Sequence, residues 1–388
     1  MIHLFINGHA ASAGGGLTYL RNVIPQLARR PDVQTSVLLT AELRAEFGDL
    51  SNTSLVATFA PSSTLRRFVH EQKAIPALIR QSGAQVLISA GNFALWKSPV
   101  PQILLSRNSL YTSPDFIRDV RARGDYALWA DTLVKGWFAR RSIHRAEITV
   151  APSAAFAREL TQWAGREVTT IHHGFDQAAF THDPMPLPPE TQAQLDAGNN
   201  ALRLLFVSHY NYYRNFETLF RALPILKEKL QGKPLKLYLT CRLKSDNPGT
   251  YRTEAASSLV NDLRSALDIV ELGSVPYRSL HHLYRACHIY VTPAYTETFA
   301  HPLVEAMSSG LPVVASDLPV HREICQAAAQ YFPKFSPEEL AASLFRVHES
   351  PDLAASLSGA GRQRAQDFSW EKHVDQLVQL AKSLAKVV

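Results

Sequence analysis

Two glutamates stand eight residues apart in the stretch ETFAHPLVEAMSSGLPVVASD, which covers residues 297–317. Glu297 precedes a helix predicted to start at Pro302, and Glu305 lies one turn inside that helix. Because a carboxylate accepts two hydrogen bonds, the pair suits a ligand that offers hydroxyl pairs beside a phosphate, as a nucleotide sugar does. The alternative is ordinary compensation of the helix dipole by glutamate.

The start of this helix is a predicted anion site. His301 is the predicted cap, and Gly310 is placed to end the helix. The backbone N–H groups of Phe299, Ala300 and His301, together with the positive end of the helix dipole, would stabilise a phosphate there.

A second group of polar residues lies in VSHYNYYRNFETLFRAL, residues 207–223. His209 and Arg214 follow a predicted strand, and Asn215 could cap the next helix. A cation near a helix start is unfavourable unless an anion is close, and guanidinium pairs bidentately with phosphate oxygens. The alternative is a solvated loop arginine.

Short β-rich runs alternate with helix-period segments, which predicts an α/β fold with parallel sheets covered by helices on both faces. The predicted strands are 2–7, 36–40, 86–89, 103–105 and 148–150, followed by 202–207, 235–240, 269–272, 289–292 and 313–315. Ligands of such sheets bind beyond the carboxyl ends of the strands. Both groups above, and also Gly14–Gly16 and Arg107–Asn108, follow predicted strands.

The length of 388 residues favours two domains. Four prolines between His182 and Glu190 mark a linker between them. Three widely spaced cysteines, Cys241, Cys287 and Cys325, favour a reducing compartment. The N-terminus lacks a basic flank, and no apolar run is long enough to span a bilayer, so we expect a cytoplasmic protein.

Together these motifs resemble the retaining glycosyltransferases of sequence family 4. VTTIHHGFDQAAF, residues 168–180, extends the resemblance, which covers most of the chain and is strongest over 146–320. It implies the GT-B fold, in which two Rossmann-like doubly wound domains face a cleft. It also implies a nucleoside-diphosphate sugar donor, a hydroxyl acceptor and retention at the anomeric carbon. No metal or other cofactor is expected, and no Asp-x-Asp pair is present.

The resemblance assigns roles in the second domain. Glu297 would hold hydroxyls of the transferred sugar, Glu305 the ribose of the nucleotide, and Arg214 the donor phosphates. His209 stands where relatives usually have a second phosphate-binding arginine, and histidine is mostly neutral at pH 7. Ala300 replaces a usual glycine.

Further roles fall in the first domain. Arg107 and Asn108 stand where relatives have a histidine and an acidic or amide residue beside the reacting centre. Arg107 is therefore expected to contact the acceptor or the donor sugar, with a structural role as the alternative, and Asn108 is expected on the acceptor side. Gly15 and Gly16, in the loop that begins at Gly14, would lie near the donor phosphates. A glycine turn for tight strand-to-helix packing is the alternative for that loop.

The resemblance also gives domain limits. Residues 1–183 form the acceptor-side domain, 184–199 the linker and 200–368 the donor domain, and a terminal helix at about 369–388 rejoins the first domain. Val275 would contact the nucleotide base through its backbone.

Other functions stay open. A nucleotide-sugar epimerase or hydrolase of the same fold would act without an acceptor, and a non-catalytic nucleotide-sugar-binding subunit would support a partner enzyme. A dehydrogenase is disfavoured because no Gly-x-Gly-x-x-Gly follows a strand with an acidic residue about 20 positions on. No nucleic-acid partner is expected.

Residues 116–145 suggest a surface role. They hold seven Lys and Arg residues against three aspartates, interleaved with Tyr126, Trp129, Trp137 and Phe138. Such a segment could make peripheral contact with an anionic membrane at its inner face. The alternative is that the aromatic rings are core and the arginines form a solvated face.

Overall fold

The computed structural model describes residues 1–11, 15–57, 63–198, 200–243, 251–263 and 267–386; Gly14 of the predicted loop lies outside them. The chain divides into two compact units. Unit one comprises Met1–Thr112, Ala130–Gly174 and Ser369–Val388. Unit two comprises Ser113–Trp129 and Phe175–Phe368.

Each unit is built on one parallel sheet. The strands are β1 (Ile2–Asn7), β2 (Val33–Leu39), β3 (Thr53–Ala57), β4 (Val86–Ser89), β5 (Gln102–Leu105), β6 (Ile148–Ala151), β7 (Thr169–Thr170), β8 (Leu202–Phe206), β9 (Leu235–Leu239), β10 (Asp268–Glu271), β11 (Ile289–Thr292), β12 (Val313–Ser316) and β13 (Ala329–Phe332). Their orders are β3-β2-β1-β4-β5-β6-β7 in unit one and β10-β9-β8-β11-β12-β13 in unit two. Both orders belong to doubly wound, Rossmann-like sheets.

Helices connect the strands. They are α1 (Gly15–Ala28), α2 (Ala41–Ala45), α3 (Thr64–Ser82), α4 (Pro114–Ala122), α5 (Tyr126–Arg145), α6 (Ala154–Ala164), α7 (Gln177–Thr181), α8 (Pro189–Asp196), α9 (Phe216–Lys229), α10 (Glu254–Leu263), α11 (Leu280–Ala286), α12 (His301–Ser308), α13 (Pro319–Cys325), α14 (Pro337–Glu349), α15 (Pro351–Ala365) and α16 (Trp370–Ala385). Among the described residues, none of these helices is both long enough and apolar enough to cross a membrane.

All ten predicted strands are present, with ends that differ by up to three residues. Three strands were not predicted: β3, β7 and β13. All three lie at an edge of their sheet. Central strands are buried on both faces and therefore read as continuous apolar runs, as in β4 and β12, whereas edge strands keep polar and half-exposed positions.

The terminal helix α16 belongs to the core of unit one. Its apolar side chains Val374, Leu377 and Val378 are buried against the same cluster as Leu4 and Val86 of the sheet. Burial of each such side chain stabilises by roughly 1.5–3 kcal/mol.

The unit limits differ from the predicted domain limits. Unit two begins at Phe175 rather than after a linker at 184–199, and α8 lies inside that predicted linker. Packing explains the difference, because the ring of Phe180 lies 6.1 Å from that of Tyr284 and Asp183 Oδ2 accepts a hydrogen bond from Arg278 Nε at 2.8 Å.

Residues 113–129 also belong to unit two. Arg123, after α4, pairs with Glu217 of α9, with an Nη1–Oε1 distance of 2.8 Å. The Tyr295 hydroxyl donates to Asp119 Oδ2 at 2.8 Å. The sequence placed this segment in the first domain, because the side chains that hold it are distant along the chain.

Candidate functional site

An ion pair lies at the carboxyl edge of the sheet in unit two. The Arg214 guanidinium donates a hydrogen bond to the Glu297 carboxylate. Their side chains are only 18% and 9% exposed. Burial acts to lower the pKa of Arg214, but Glu297, Tyr213 and Tyr290 together outweigh burial and raise this pKa. The structure thus brings together two residues that were predicted to bind different parts of one ligand.

Neighbouring residues hold Arg214 in place. Its guanidinium lies 4.9 Å from the centre of the Tyr213 ring, and its backbone N–H donates to Asn211 Oδ1 at 3.2 Å. Arg214 Nε is buried and has no hydrogen-bond partner within the described part of the chain.

Asn215 precedes α9, as predicted for a cap, but in a left-handed conformation with φ 56°. Its side chain does not cap the helix backbone. Nδ2 donates to the Pro293 carbonyl at 3.0 Å, and Oδ1 accepts from the Thr218 hydroxyl at 2.8 Å. Asn215 therefore joins the loop that carries Arg214 to the loop after β11, which carries Glu297.

Helix α12 begins one residue earlier than predicted. Its first residue is His301, and its N-cap is Ala300 rather than His301. Ala300 is left-handed, with φ 63° and ψ 65°. A side chain in that region costs about 1–2 kcal/mol, which glycine avoids. This geometry gives a physical reason for the glycine that the family resemblance leads one to expect there.

The backbone before α12 is fixed by packing. Phe299 is buried, with its ring 5.3 Å from that of Phe368. The first N–H groups of a helix have no partners within the helix. The start of α12 therefore offers donors and a positive dipole end beside the residues that lead to Glu297.

Glu305 is buried on the second turn of α12. The Tyr284 hydroxyl donates to its Oε2 at 2.9 Å. Burial raises the pKa of Glu305 to about 7, against the opposing effect of the Tyr284 hydrogen bond. Glu297 has a cationic partner, Arg214, whereas the hydrogen-bond partner of Glu305 is the neutral hydroxyl of Tyr284.

His321 of α13 was not predicted as a site residue. It is completely buried, with Nδ1 2.8 Å from the Ser316 carbonyl oxygen. Burial lowers the pKa of His321, while Glu297 acts to raise it and Arg214 to lower it, so the ring lies close enough to interact with both. Its position just beyond the carboxyl end of β12 is the signal that could have identified it.

His209 and Val275 lie apart from this group. His209 is exposed in the loop after β8, and its carbonyl accepts a hydrogen bond from the Ser208 hydroxyl at 2.8 Å. Val275 is half-buried in the loop after β10. Within the described residues, neither shares a hydrogen bond or ion pair with Arg214 or Glu297.

Arg107 lies at the carboxyl edge of the sheet in unit one. Its backbone N–H donates to Asn92 Oδ1 at 2.6 Å, and Nη2 donates to the Ala90 carbonyl. Its guanidinium lies 4.5 Å from the centre of the Tyr19 ring. Burial lowers the pKa of Arg107.

The other predicted residues of unit one have structural positions. Asn108 Oδ1 accepts from Leu110 N–H at 3.0 Å and caps a short 3-10 turn. Gly15 and Gly16 begin α1. A side chain at Gly15 would meet no atom within 4 Å, and one at Gly16 would only touch Ala11 at 3.4 Å, so close packing does not require glycine at either position.

Searching the described ranges finds no group of three or more His, Cys, Asp or Glu side chains placed to hold a metal ion. Cys241, Cys287 and Cys325 are buried free thiols.

The part of the chain that contains Arg214, Glu297 and Glu305 matches a known family. The matching family is described as glycosyl transferases group 1, and the match covers residues 189–364.

Residues 189–364 are therefore similar in sequence to the glycosyl transferases of group 1.

Curated proteins that resemble this chain in sequence are glycosyltransferases. D-inositol 3-phosphate glycosyltransferase of Thermobifida fusca is 27% identical over 217 residues, which are 54% of this chain and 48% of that protein. O-antigen chain mannosyltransferase B of Escherichia coli is 30% identical over 113 residues, or 29% of this chain and 30% of that protein. The chain therefore spans about half the length, or less, of these relatives.

Solved structures resemble this chain over its whole length. Sucrose-phosphate synthase of Thermosynechococcus elongatus has a TM-score of 0.76 at 18% identity, and the similarity covers 100% of this chain and 100% of that protein. HepE of Anabaena in complex with UDP-glucose has a TM-score of 0.73 at 16% identity, over 99% of this chain and 100% of HepE. These similarities establish the fold, which is the predicted GT-B fold of two Rossmann-like domains.

Proposed function

We propose that this protein transfers a sugar from a nucleoside-diphosphate sugar to a hydroxyl acceptor, with retention at the anomeric carbon. The observation that carries the proposal is the buried Arg214–Glu297 pair beside the start of α12. A guanidinium and helix N–H groups suit a diphosphate, and the adjoining carboxylate suits sugar hydroxyls.

Each of the three residues has a proposed role in donor binding. Arg214 binds the diphosphate, Glu297 the hydroxyls of the transferred sugar, and Glu305 the ribose. The names of the curated relatives support a sugar transferase, and the HepE structure with UDP-glucose makes UDP-glucose the first donor to test. His209 provides a second, exposed contact for the diphosphate.

The proposed reaction forms one bond and breaks one. The acceptor oxygen bonds to the anomeric carbon on the face from which the phosphate oxygen departs, and the acceptor proton passes to that oxygen. Arg214 and the N–H groups at the start of α12 stabilise the charge on the departing diphosphate. Under this scheme neither a side-chain base nor a metal ion is required.

Residues of unit one would serve the acceptor side. Arg107 and Asn108 lie at the carboxyl edge of its sheet, where ligands of doubly wound folds bind. The acceptor class is a glycan, a lipid-linked saccharide or a small molecule that carries a hydroxyl group.

Thermal unfolding in the presence of a panel of nucleoside-diphosphate sugars tests donor binding. A ligand at 100 times its Kd stabilises by about 2.7 kcal/mol. We expect one donor to raise the Tm of the wild-type protein and to have little effect on Arg214→Gln. The absence of a shift with every donor would contradict the proposal.

Release of free nucleoside diphosphate then separates the activities. A transferase releases it only after an acceptor is added, a hydrolase releases it without one, and a binding subunit does not release it. The anomeric configuration of the product, measured by NMR, tests retention.

A further inference from the structure

Two helices of unit one expose large apolar side chains to solvent. Leu65 and Val69 of α3, and Leu133, Val134 and Trp137 of α5, are between 44% and 58% exposed. Exposed apolar side chains that occur singly are normal, whereas a group of them marks an interaction site.

Helical spacing gathers these residues on one face of each helix. On α3, Leu65 and Val69 are four residues apart, and the exposed Lys73 follows after four more. On α5, Trp137 lies four residues after Leu133, and the exposed Arg141 lies four after Trp137. Arg140 is also exposed and is three residues from Trp137. Each face therefore combines apolar and basic side chains.

An aromatic cluster joins the two helices. The ring of Phe68 on α3 lies 5.0 Å from that of Phe138 on α5, and 5.3 Å from that of Trp96. Trp96 in turn lies 6.1 Å from Trp137. Val69 directly follows Phe68 along the chain, and Trp137 directly precedes Phe138. The two exposed faces therefore border the same aromatic cluster. We call the exposed residues of both helices the α3–α5 surface.

The contacts in this cluster bear on both alternatives for residues 116–145, namely aromatic rings in the core and aromatic rings exposed at a surface. Phe138 packs against Phe68 and Trp96, as expected for a core residue, and Trp137 rests on that cluster but stays 58% exposed. Phe138 of α5 thus packs inside the cluster, whereas Trp137 of α5 is largely exposed to solvent.

The charge of the α3–α5 surface is positive. Each helix carries four Lys or Arg residues and one carboxylate. Both carboxylates are paired, Glu71 with Arg67 at 3.5 Å and Asp131 with Lys135 at 2.6 Å. The exposed Arg140 and Arg141, close to Trp137 on α5, make the local electrostatic potential positive.

We propose that the α3–α5 surface docks onto an anionic lipid bilayer at the level of its headgroups. Tryptophan prefers the membrane interface, apolar side chains beside it enter the acyl boundary, and arginines bind anionic headgroups. Through this surface the protein would lie on the bilayer, and no part of the surface would cross the bilayer. The proposal is independent of the donor site, which lies in unit two.

Co-sedimentation with vesicles tests this docking. We expect the wild-type protein to bind phosphatidylglycerol-containing vesicles, to bind pure phosphatidylcholine vesicles much more weakly, and to be released by salt. Arg140→Glu/Arg141→Glu should weaken binding by at least roughly 30-fold, since each basic residue near an anionic surface contributes roughly a factor of five.

Arg29→Glu/Arg158→Glu is the matched control, because it makes the same change in charge at exposed positions of unit one outside the α3–α5 surface. Equal loss in both double variants would show attraction to net charge alone and would overturn the proposal. Unchanged binding of Arg140→Glu/Arg141→Glu would also overturn it.

Fluorescence locates the contact. Brominated lipids quench tryptophan that enters the bilayer, so we expect most of the wild-type quenching to be lost in Trp137→Phe, with a smaller part remaining from Trp96, whose ring lies 6.1 Å from that of Trp137. Quenching that is undiminished in this variant would assign the contact to another surface. Self-association without lipid that Trp137→Phe abolishes would identify a second copy of the chain as the occupant and would contradict the proposal. Donor-induced shifts in Tm should be the same in all of these variants.

Discussion

Arg107 and Arg214 are buried arginines in loops that follow strands of the two sheets, Arg107 after β5 and Arg214 after β8. Arg214 pairs with Glu297, and this carboxylate together with nearby tyrosines raises its pKa despite burial. Arg107 contacts the Ala90 carbonyl and the Tyr19 ring, and burial lowers its pKa. The partner, and not the residue type, therefore decides whether a buried cation is already neutralised before a ligand binds.

Breaking the Arg214–Glu297 ion pair is expected to have the largest effect on stability and on donor binding. Arg214→Ala leaves Glu297 buried without its cation, so we expect a loss of about 3–5 kcal/mol in the free energy of unfolding, together with loss of donor binding. Urea denaturation measures the first effect. Arg214→Met/Glu297→Gln should recover most of the stability without recovering donor binding. A loss below about 1 kcal/mol in the single variant would show that the pair is not buried in solution.

Glu305, unlike Glu297, is a buried carboxyl group whose hydrogen-bond partner is a hydroxyl and not a cation. Its pKa is raised to about 7 from 4.5, so the folded state holds the proton more tightly than the unfolded state. Stability should therefore fall as the pH rises from about 4.5 to 7, by up to about 1.4 kcal/mol per pH unit, and Glu305→Gln should remove this part of the slope. Urea denaturation across this pH range, on both proteins, measures it.

Donor binding should depend on the same proton. The charged carboxylate is the better acceptor for ribose hydroxyls, so donor affinity should rise with pH up to about 7 and then level off. In Glu305→Gln this dependence should disappear. A wild-type affinity that is flat between pH 5 and 8 would argue against contact between Glu305 and the donor.

Arg107→Met should have a smaller effect on stability than Arg214→Ala. It removes a desolvated charge and leaves no carboxylate unpaired, so we expect a change within about 1.5 kcal/mol in either direction. Donor affinity should not change, because the Arg107 guanidinium is held by the Ala90 carbonyl and the Tyr19 ring. A loss as large as that of Arg214→Ala would mean that Arg107 also has a buried anionic partner.

The smallest expected effect is at Ala300. Because this residue is left-handed with φ 63°, Ala300→Gly should relieve strain and stabilise the protein by about 0.5–1 kcal/mol, after the higher entropy of glycine in the unfolded chain is counted. Thermal unfolding measures it. Destabilisation would mean that the start of α12 has a different conformation in solution.

The GT-B fold was implied by the resemblance of the motifs to family 4 glycosyltransferases. The sequence predicted the central strands because strands buried on both faces form unbroken apolar runs. It did not predict the edge strands β3, β7 and β13, which lack such runs. It predicted Glu305 as a candidate site residue but did not predict its hydrogen-bond partner Tyr284, because Tyr284 is 21 residues away along the chain and carries no local pattern. The left-handed Ala300 was missed for a related reason, since alanine gives no sign of a positive φ.

Calorimetric titration of Glu297→Gln tests the central claim most directly, namely that Arg214 holds the diphosphate while its partner Glu297 holds the transferred sugar. Glutamine keeps a hydrogen-bond acceptor but removes the charge that neutralises Arg214. We predict that free nucleoside diphosphate binds this variant as tightly as the wild type or more tightly, while turnover with the nucleotide sugar falls at least tenfold. Equal loss of affinity for the free diphosphate and the nucleotide sugar would contradict this division of roles.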